Sequence, residues 1–317
     1  MTISLMNSLH VRFRKIIPAL LTMLLFAMTS AASAQQSFKT AEDAAAALAN
    51  AVKSGEQKAV LNVLGKNAQD IVSSGDEVAD AALRQRFVAA YDAKHSVAMQ
   101  GNSKAVMVIG QEDFPLPIPL VRKNEAWQFD TAAGRLEILH RRIGRNELYA
   151  IQSCLAFVDS QNEYAEKDRT GAGVGTYARR FVSASGKKDG LYWPSAQNED
   201  TSPLGELVAQ ATSEGYRVGG GPLPFHGYYY KILTRQGANA PGGALNYIVN
   251  GKLMGGFALV AYPAGYRNSG VMTFLVSHRG EVFQKDLGPS TYRVARGMTS
   301  FNPDQSWKKT TDVTPLR

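Results

Sequence analysis

Apolar and polar positions repeat along this chain with two different periods, and the changes of period divide it. From Thr40 the spacing is helical: Thr40 and Asp43 make an approximate capping box ahead of an alanine-rich stretch that runs to Val52. Gly55 and Gly65 bracket a second predicted helix over 58–64. A third is predicted over 80–93, where Leu83, Phe87 and either Ala90 or Tyr91 recur three and four apart. The period then shortens. Strands are predicted over 96–100, 104–109, 118–122 and 127–130, with turn chemistry at Gly101-Asn102 and Lys123-Asn124-Glu125. Pro115, Pro117 and Pro119 alternate, deleting donors along one edge and marking that segment as a sheet margin closed to another strand.

The strongest helical signal covers 133–168: Leu136, Leu139, Ile143, Ile151, Cys154 or Leu155, Val158 and Ala165 keep the three-four rhythm. Gly144 interrupts it, so a break is expected there with a fresh helix over 145–167. Beyond lie a short helical piece at 177–182, a helix at 203–213, and aromatic or β-branched strands at 227–234, 256–262, 271–277 and 281–286. The fold class this pattern predicts is α+β. N-terminal helices precede a small curled antiparallel sheet, and a long helix then packs on a C-terminal antiparallel sheet. Three segments follow: 1–34, an N-terminal α+β module at 35–143, and the helix-plus-sheet module at 144–317.

The first segment reads as an address. Arg12, Arg14 and Lys15 precede an apolar run from Ile16 to Met28, and Ala32-Ser33-Ala34 supplies small residues for cleavage before Gln35. At about 13 residues the run falls short of the roughly 20 that a spanning helix needs. A cleaved signal peptide and a periplasmic protein are expected, with no transmembrane segment after cleavage.

Composition then narrows the chemistry. A chain of 317 residues that is 44% hydrophobic and 20% charged has the makeup of a globular protein, which excludes disordered and collagen-like classes. Its formal net charge is +8, but cleavage would leave 32 basic against 27 acidic side chains, a mild +5. So mild an excess is weak evidence for a nucleic-acid partner, and the expected export argues against one, so no nucleic acid is expected. The single cysteine, Cys154, has nothing to pair with in the chain and sits among apolar neighbours as a buried thiol.

Candidate site residues are few. Arg141, Arg142 and Arg145 crowd the joint between the modules, where they can grip a carboxylate or phosphate, or clamp the modules together; the clamp is favoured by their position. Asp168 to Gly173 has the outline of a calcium loop, but only its first carboxylate is present, so a glycine-rich turn is preferred. No metal site and no cofactor fingerprint are found, and Gly219-Gly220-Gly221 reads as a hinge or turn. An enzyme reading is available as the alternative: a hydrolase of sugars or peptides with His226 as general base, Asp189 as its orienter, and Tyr192, Trp193 and Tyr228 as a stacking wall. The competing reading places those aromatics in the helix–sheet seam and is preferred. It makes the protein a non-enzymatic binding, scaffold or accessory component of the cell envelope, meeting another envelope protein or an envelope polymer.

Several longer strings carry a family resemblance. Arg141-Arg142-Ile143-Gly144-Arg145-Asn146-Glu147, Lys188-Asp189-Gly190-Leu191-Tyr192-Trp193-Pro194, His226-Gly227-Tyr228-Tyr229 and Gly270-Val271-Met272-Thr273-Phe274 resemble the bacterial domain-of-unknown-function family 2950. So does Gly255-Gly256-Phe257-Ala258-Leu259-Val260-Ala261-Tyr262-Pro263. The resemblance covers essentially the whole expected mature chain. It implies an exported protein and supplies no activity. Residues 145–287 also resemble the globular heads of type IV pilins and pseudopilins, without the pilin leader or assembly helix; this implies a related head shape and no polymer.

Overall fold

The computed structural model describes residues 35–310, except 172, 196–199, 218 and 220–222. The expected signal peptide at 1–34 lies outside them, as do Gly220 and Gly221 of the glycine run.

The N-terminal half opens with α1 (Ala41–Lys53), α2 (Gln57–Leu64), α3 (Gln69–Val72) and α4 (Glu77–Ala93). Thr40 does cap α1, its Oγ1 accepting from the Asp43 N–H at 3.0 Å. Strands β1 (His95–Met99), β2 (Lys104–Ile109), β3 (Phe114–Pro115), β4 (Leu120–Lys123) and β5 (Ala126–Phe129) follow. They form an antiparallel sheet in the order β1-β2-β4-β5, with β3 on the same edge of β2 as β4. Pro115 pairs with Val108, and the proline segment beyond it is covered by the first turns of the next helix. A Cβ on Gly134 there would lie 2.6 Å from the Pro117 carbonyl oxygen. Leu48, Val63, Met107, Leu120, Trp127 and Phe129 are buried between the helices and this sheet.

Helix α5 (Thr131–Ala165) runs unbroken for 35 residues, about 52 Å at ~1.5 Å per residue. The break expected at Gly144 does not occur. Leu139 on one side belongs to the first buried cluster, Ala150 and Ile151 on the other belong to the second, and this packing outweighs the ~1 kcal/mol that glycine costs in a helix.

In the C-terminal half, residues 177–182 are not helical as expected. Tyr177 bridges Leu253, and Val182 bridges Tyr192 ten residues on, so backbone pairing with other segments replaces the local helix. Helix α6 (Gly205–Ser213) leads to β6 (Tyr228–Leu233) and two small ribbons, β7 (Arg235–Gln236) with β8 (Leu245–Asn246), and β9 (Ile248–Val249) with β10 (Lys252–Leu253). The main sheet adds β11 (Ala258–Pro263), β12 (Met272–Ser277), β13 (Val282–Asp286) and, after α7 (Thr291–Gly297), β14 (Lys308–Lys309). Its order is β14-β13-β12-β11-β6, all antiparallel.

All six residues of β11 are buried because both faces of the sheet are covered. On one face Tyr228 and Phe274 join Ile151, Cys154 and Phe157 of α5 in the second cluster. On the other, Tyr229 and Tyr262 meet Tyr292 of α7, and Lys231 donates to the Arg296 and Met298 carbonyls at that helix's end. Cys154, on the α5 side, is buried, and burial pushes its thiol pKa far up. The architecture is α+β, as the hydrophobic pattern predicts.

Candidate functional site

A buried polar network links the two halves of the chain beside α5. Its geometry begins with a two-residue turn, His226-Gly227, which closes a tight hairpin between Phe225 and Tyr228. Both turn residues have left-handed backbones, φ 47° and 76°. Gly227 suits that conformation at no steric cost and His226 adopts it under strain. Gly227 also lies so close to α5 that a Cβ on it would sit 2.4 Å from Asn146 Nδ2.

Asp76, which is 1% exposed, holds this turn from the other half of the chain. Its Oδ1 accepts from the Ala79 N–H at 3.0 Å, capping α4. Its Oδ2 accepts from the Gly227 N–H at 2.8 Å and from the Tyr216 hydroxyl at 2.9 Å. Tyr216 in turn accepts from the His226 N–H at 3.2 Å, and burial, then the charge of Asp76, pushes its pKa up. His226 stacks on Tyr149 of α5 with ring centres 4.0 Å apart and meets Tyr216 and Phe225 on other sides. Its Nε2 lies 3.2 Å from Glu214 Oε2 but off the hydrogen-bonding direction, so this buried nitrogen has no hydrogen bond. Burial holds the imidazole pKa down, opposed by Glu214 and Asp76 and reinforced by Arg145.

Helix α5 completes the joint. Arg142 donates to the Asp70 and Ile71 carbonyls, both at 2.6 Å, and to Asn268 Oδ1 at 2.5 Å. Asn268 closes the loop by donating to the Ser73 carbonyl. Asn146 donates to the Ser269 carbonyl, and Glu147 Oε1 accepts the N–H groups of Val271 and Met272 at 2.9 and 3.0 Å. One helix face thus grips α3 of the first half and the start of β12 in the second.

The residues nominated from sequence fall in three places. Arg142 is in the joint; Arg141 pairs with Glu137 on its own helix and lies over Phe114, while Arg145 is exposed. Tyr228 is fully buried in the helix–sheet seam, its hydroxyl donating to the Met272 carbonyl. Asp189, Tyr192 and Trp193 belong to the far end of α5, where Tyr164 donates to the Lys188 carbonyl. Tyr149 and Tyr164 are fifteen residues apart, roughly 22 Å of helix, so the expected pairing of His226 with Asp189 as base and orienter is not formed. Asp189 accepts from the Ala184 N–H and faces Arg180 at 3.7 Å. Trp193 is no open stacking wall either. Arg169 and Lys188 lie over its ring, and its Nε1–H donates to the Asp200 carbonyl. Asp200 gathers Lys167 and Arg169, whose hydrogen bonds lower its pKa. In the loop with the calcium-like outline, Asp168 accepts from the Thr170 N–H in an ordinary turn.

Among the described residues, no three His, Cys, Asp or Glu side chains come together in a way that could hold a metal ion. No described helix is long and apolar enough to cross a membrane. Asp76 and Tyr216 escaped nomination from sequence. For Asp76 a signal was present: it stands three residues before Ala79, the spacing of a helix cap, but the helix was expected to begin only at residue 80.

Compared with known proteins, the chain matches a family described as protein of unknown function (DUF2950) over residues 35–310. No curated protein and no solved structure matches, so the likeness to pilin heads is not carried further.

Proposed function

The chain belongs to the DUF2950 family of proteins of unknown function, and from that premise we propose an exported, periplasmic protein that works by contact with another envelope component. Export is supported by Arg12, Arg14 and Lys15 ahead of the apolar run and by Ala32-Ser33-Ala34. The family match also starts at residue 35, the first position after the expected cleavage point.

The observation that carries the contact reading is how the buried polar groups of the joint are used. Asp76, Arg142, Asn146 and Glu147 each hold backbone groups of other segments, and the remaining bonds of Asp76 and Arg142 go to a helix cap and to the Tyr216 and Asn268 side chains. His226 is walled in by Tyr149, Tyr216 and Phe225. Groups committed in this way set the geometry of a body; they are not poised over a reacting atom. Crosslinked pull-down from envelope extract, combined with N-terminal sequencing of the recovered bait, tests the reading. The bait is expected to start at Gln35, and its partner to be retained by His226→Gln and Asp189→Asn. Recovery of background alone, or of a cytoplasmic chain still carrying residues 1–34, defeats it.

A further inference from the structure

A cleft of about 410 Å³ opens beside the C-terminal end of α5. This is in the range of small-molecule sites. Its wall includes Thr176, Tyr177, Arg179, Arg180, Asp189 and Lys252. Two arginines against one carboxylate give it a positive balance. Neither arginine is consumed by the fold: Arg179 reaches only the Gly251 carbonyl, at 3.3 Å, and Arg180 stands 3.7 Å from Asp189, an ion-pair separation longer than a direct hydrogen bond. Both are exposed. Arg169 and Lys167 nearby are by contrast already paired with Asp200.

A second observation is independent of charge. The Thr176 hydroxyl is buried and has no hydrogen-bond partner. Buried polar atoms in native proteins are nearly always paired, so this hydroxyl in the cleft wall lacks a partner that a water or a ligand atom would supply. Guanidinium forks beside a hydroxyl donor suit a planar or tetrahedral oxoanion.

We propose that this cleft binds a small ligand carrying a carboxylate or phosphate, held by Arg179 and Arg180 with Thr176 as a neutral donor. The site goes beyond the contact role: partner capture can fail while the cleft still fills, and the reverse.

Calorimetric titration of the purified protein with glucuronate, glucose 1-phosphate and uncharged glucose tests it. At least one anion is expected to bind at about 1 mM or tighter, with glucose silent. Arg179→Ala/Arg180→Ala should weaken that binding at least about tenfold, and Thr176→Val several-fold without a change in Tm. Asp189→Asn, which removes the competing carboxylate, should tighten it. Binding of glucuronate alone assigns a carboxylate ligand, and binding of the phosphate ester alone assigns a phosphate. The proposal is overturned if neither anion binds, if glucose binds equally, or if the double arginine variant, folded by circular dichroism, binds as the parent does.

Discussion

Single residues decide how the turn at 225–228 is held, and Asp76 decides most. It is a buried carboxylate with three donors, drawn from its own helix, from Tyr216 and from Gly227. Asp76→Ala removes a helix cap and leaves a buried hydroxyl and a buried N–H unpaired; a loss of about 3 kcal/mol in urea unfolding is expected. A loss under 1 kcal/mol would mean that water replaces the carboxylate. His226 acts on the same turn through pH. Its folded pKa lies below the ordinary 6.5, chiefly through burial, so the unfolded chain takes up the proton first as pH falls. The stability this residue provides is therefore complete above about 6.5 and is lost as pH drops from there through the lowered value. His278, also lowered by burial, contributes in the same direction. Unfolding free energies at pH 7.5, 6.5 and 5.5 should decline in the parent, and less steeply in His226→Gln. Equal slopes would show that His226 does not titrate differently on folding. His226 was visible in the sequence as a titratable group beside aromatics, whereas its partners were not. Asp76 and Tyr216 stand 151 and 10 residues from the turn N–H groups they hold, and nothing local records such pairing.

At the scale of elements, hydrophobic period located the longer helices and the strands of four or more residues to within a few residues, and passed over α3, α7 and the two-residue strands, which are too short to show a period. The failures are as physical as the successes. Leu136 and Leu155 kept the helical rhythm of α5 but are exposed, 65% and 38%. This helix buries different stripes along its length as it passes from one cluster to the other. Residues 177–182 carried a helical spacing that tertiary bridges overrode. Gly144 misled most. It sits exposed in the middle of an unbroken helix, with open space where a Cβ would point. Gly144→Ala should accordingly raise stability by about 1 kcal/mol, through helix propensity and a less flexible unfolded chain. Gly134 is the contrasting case: a Cβ there meets the backbone of Pro117 and Ile118 at 2.6 Å. If Gly144→Ala were destabilising by thermal or urea melts, the glycine would be serving a backbone conformation that the alanine cannot share, against the unbroken helical course of α5.

For the molecule as a whole, two buried clusters share one helix, and the sequence showed the two clusters more clearly than the joint. The described residues nonetheless all fall within a single compact unit. The coupling is carried by α5 itself and by a short set of cross-links: Asp76 to Gly227 and Tyr216, Arg142 to the 70–71 carbonyls and Asn268, and Asn268 to Ser73. The Arg142 pKa is held down by its burial in this joint, so the charge there is costly and the carbonyls around it offset that cost. The parent protein is therefore expected to unfold in one transition, with tyrosine and tryptophan fluorescence and far-ultraviolet circular dichroism coinciding. Arg142→Ala combined with Asp76→Ala should separate them, since each cluster keeps its own apolar core while the links between them are gone. Trp127 reports the first cluster and Trp193 the second, so single-tryptophan versions of the double variant should melt at different urea concentrations. Coincident melts in that variant would locate the coupling in the continuity of α5, not in the side chains that bridge it.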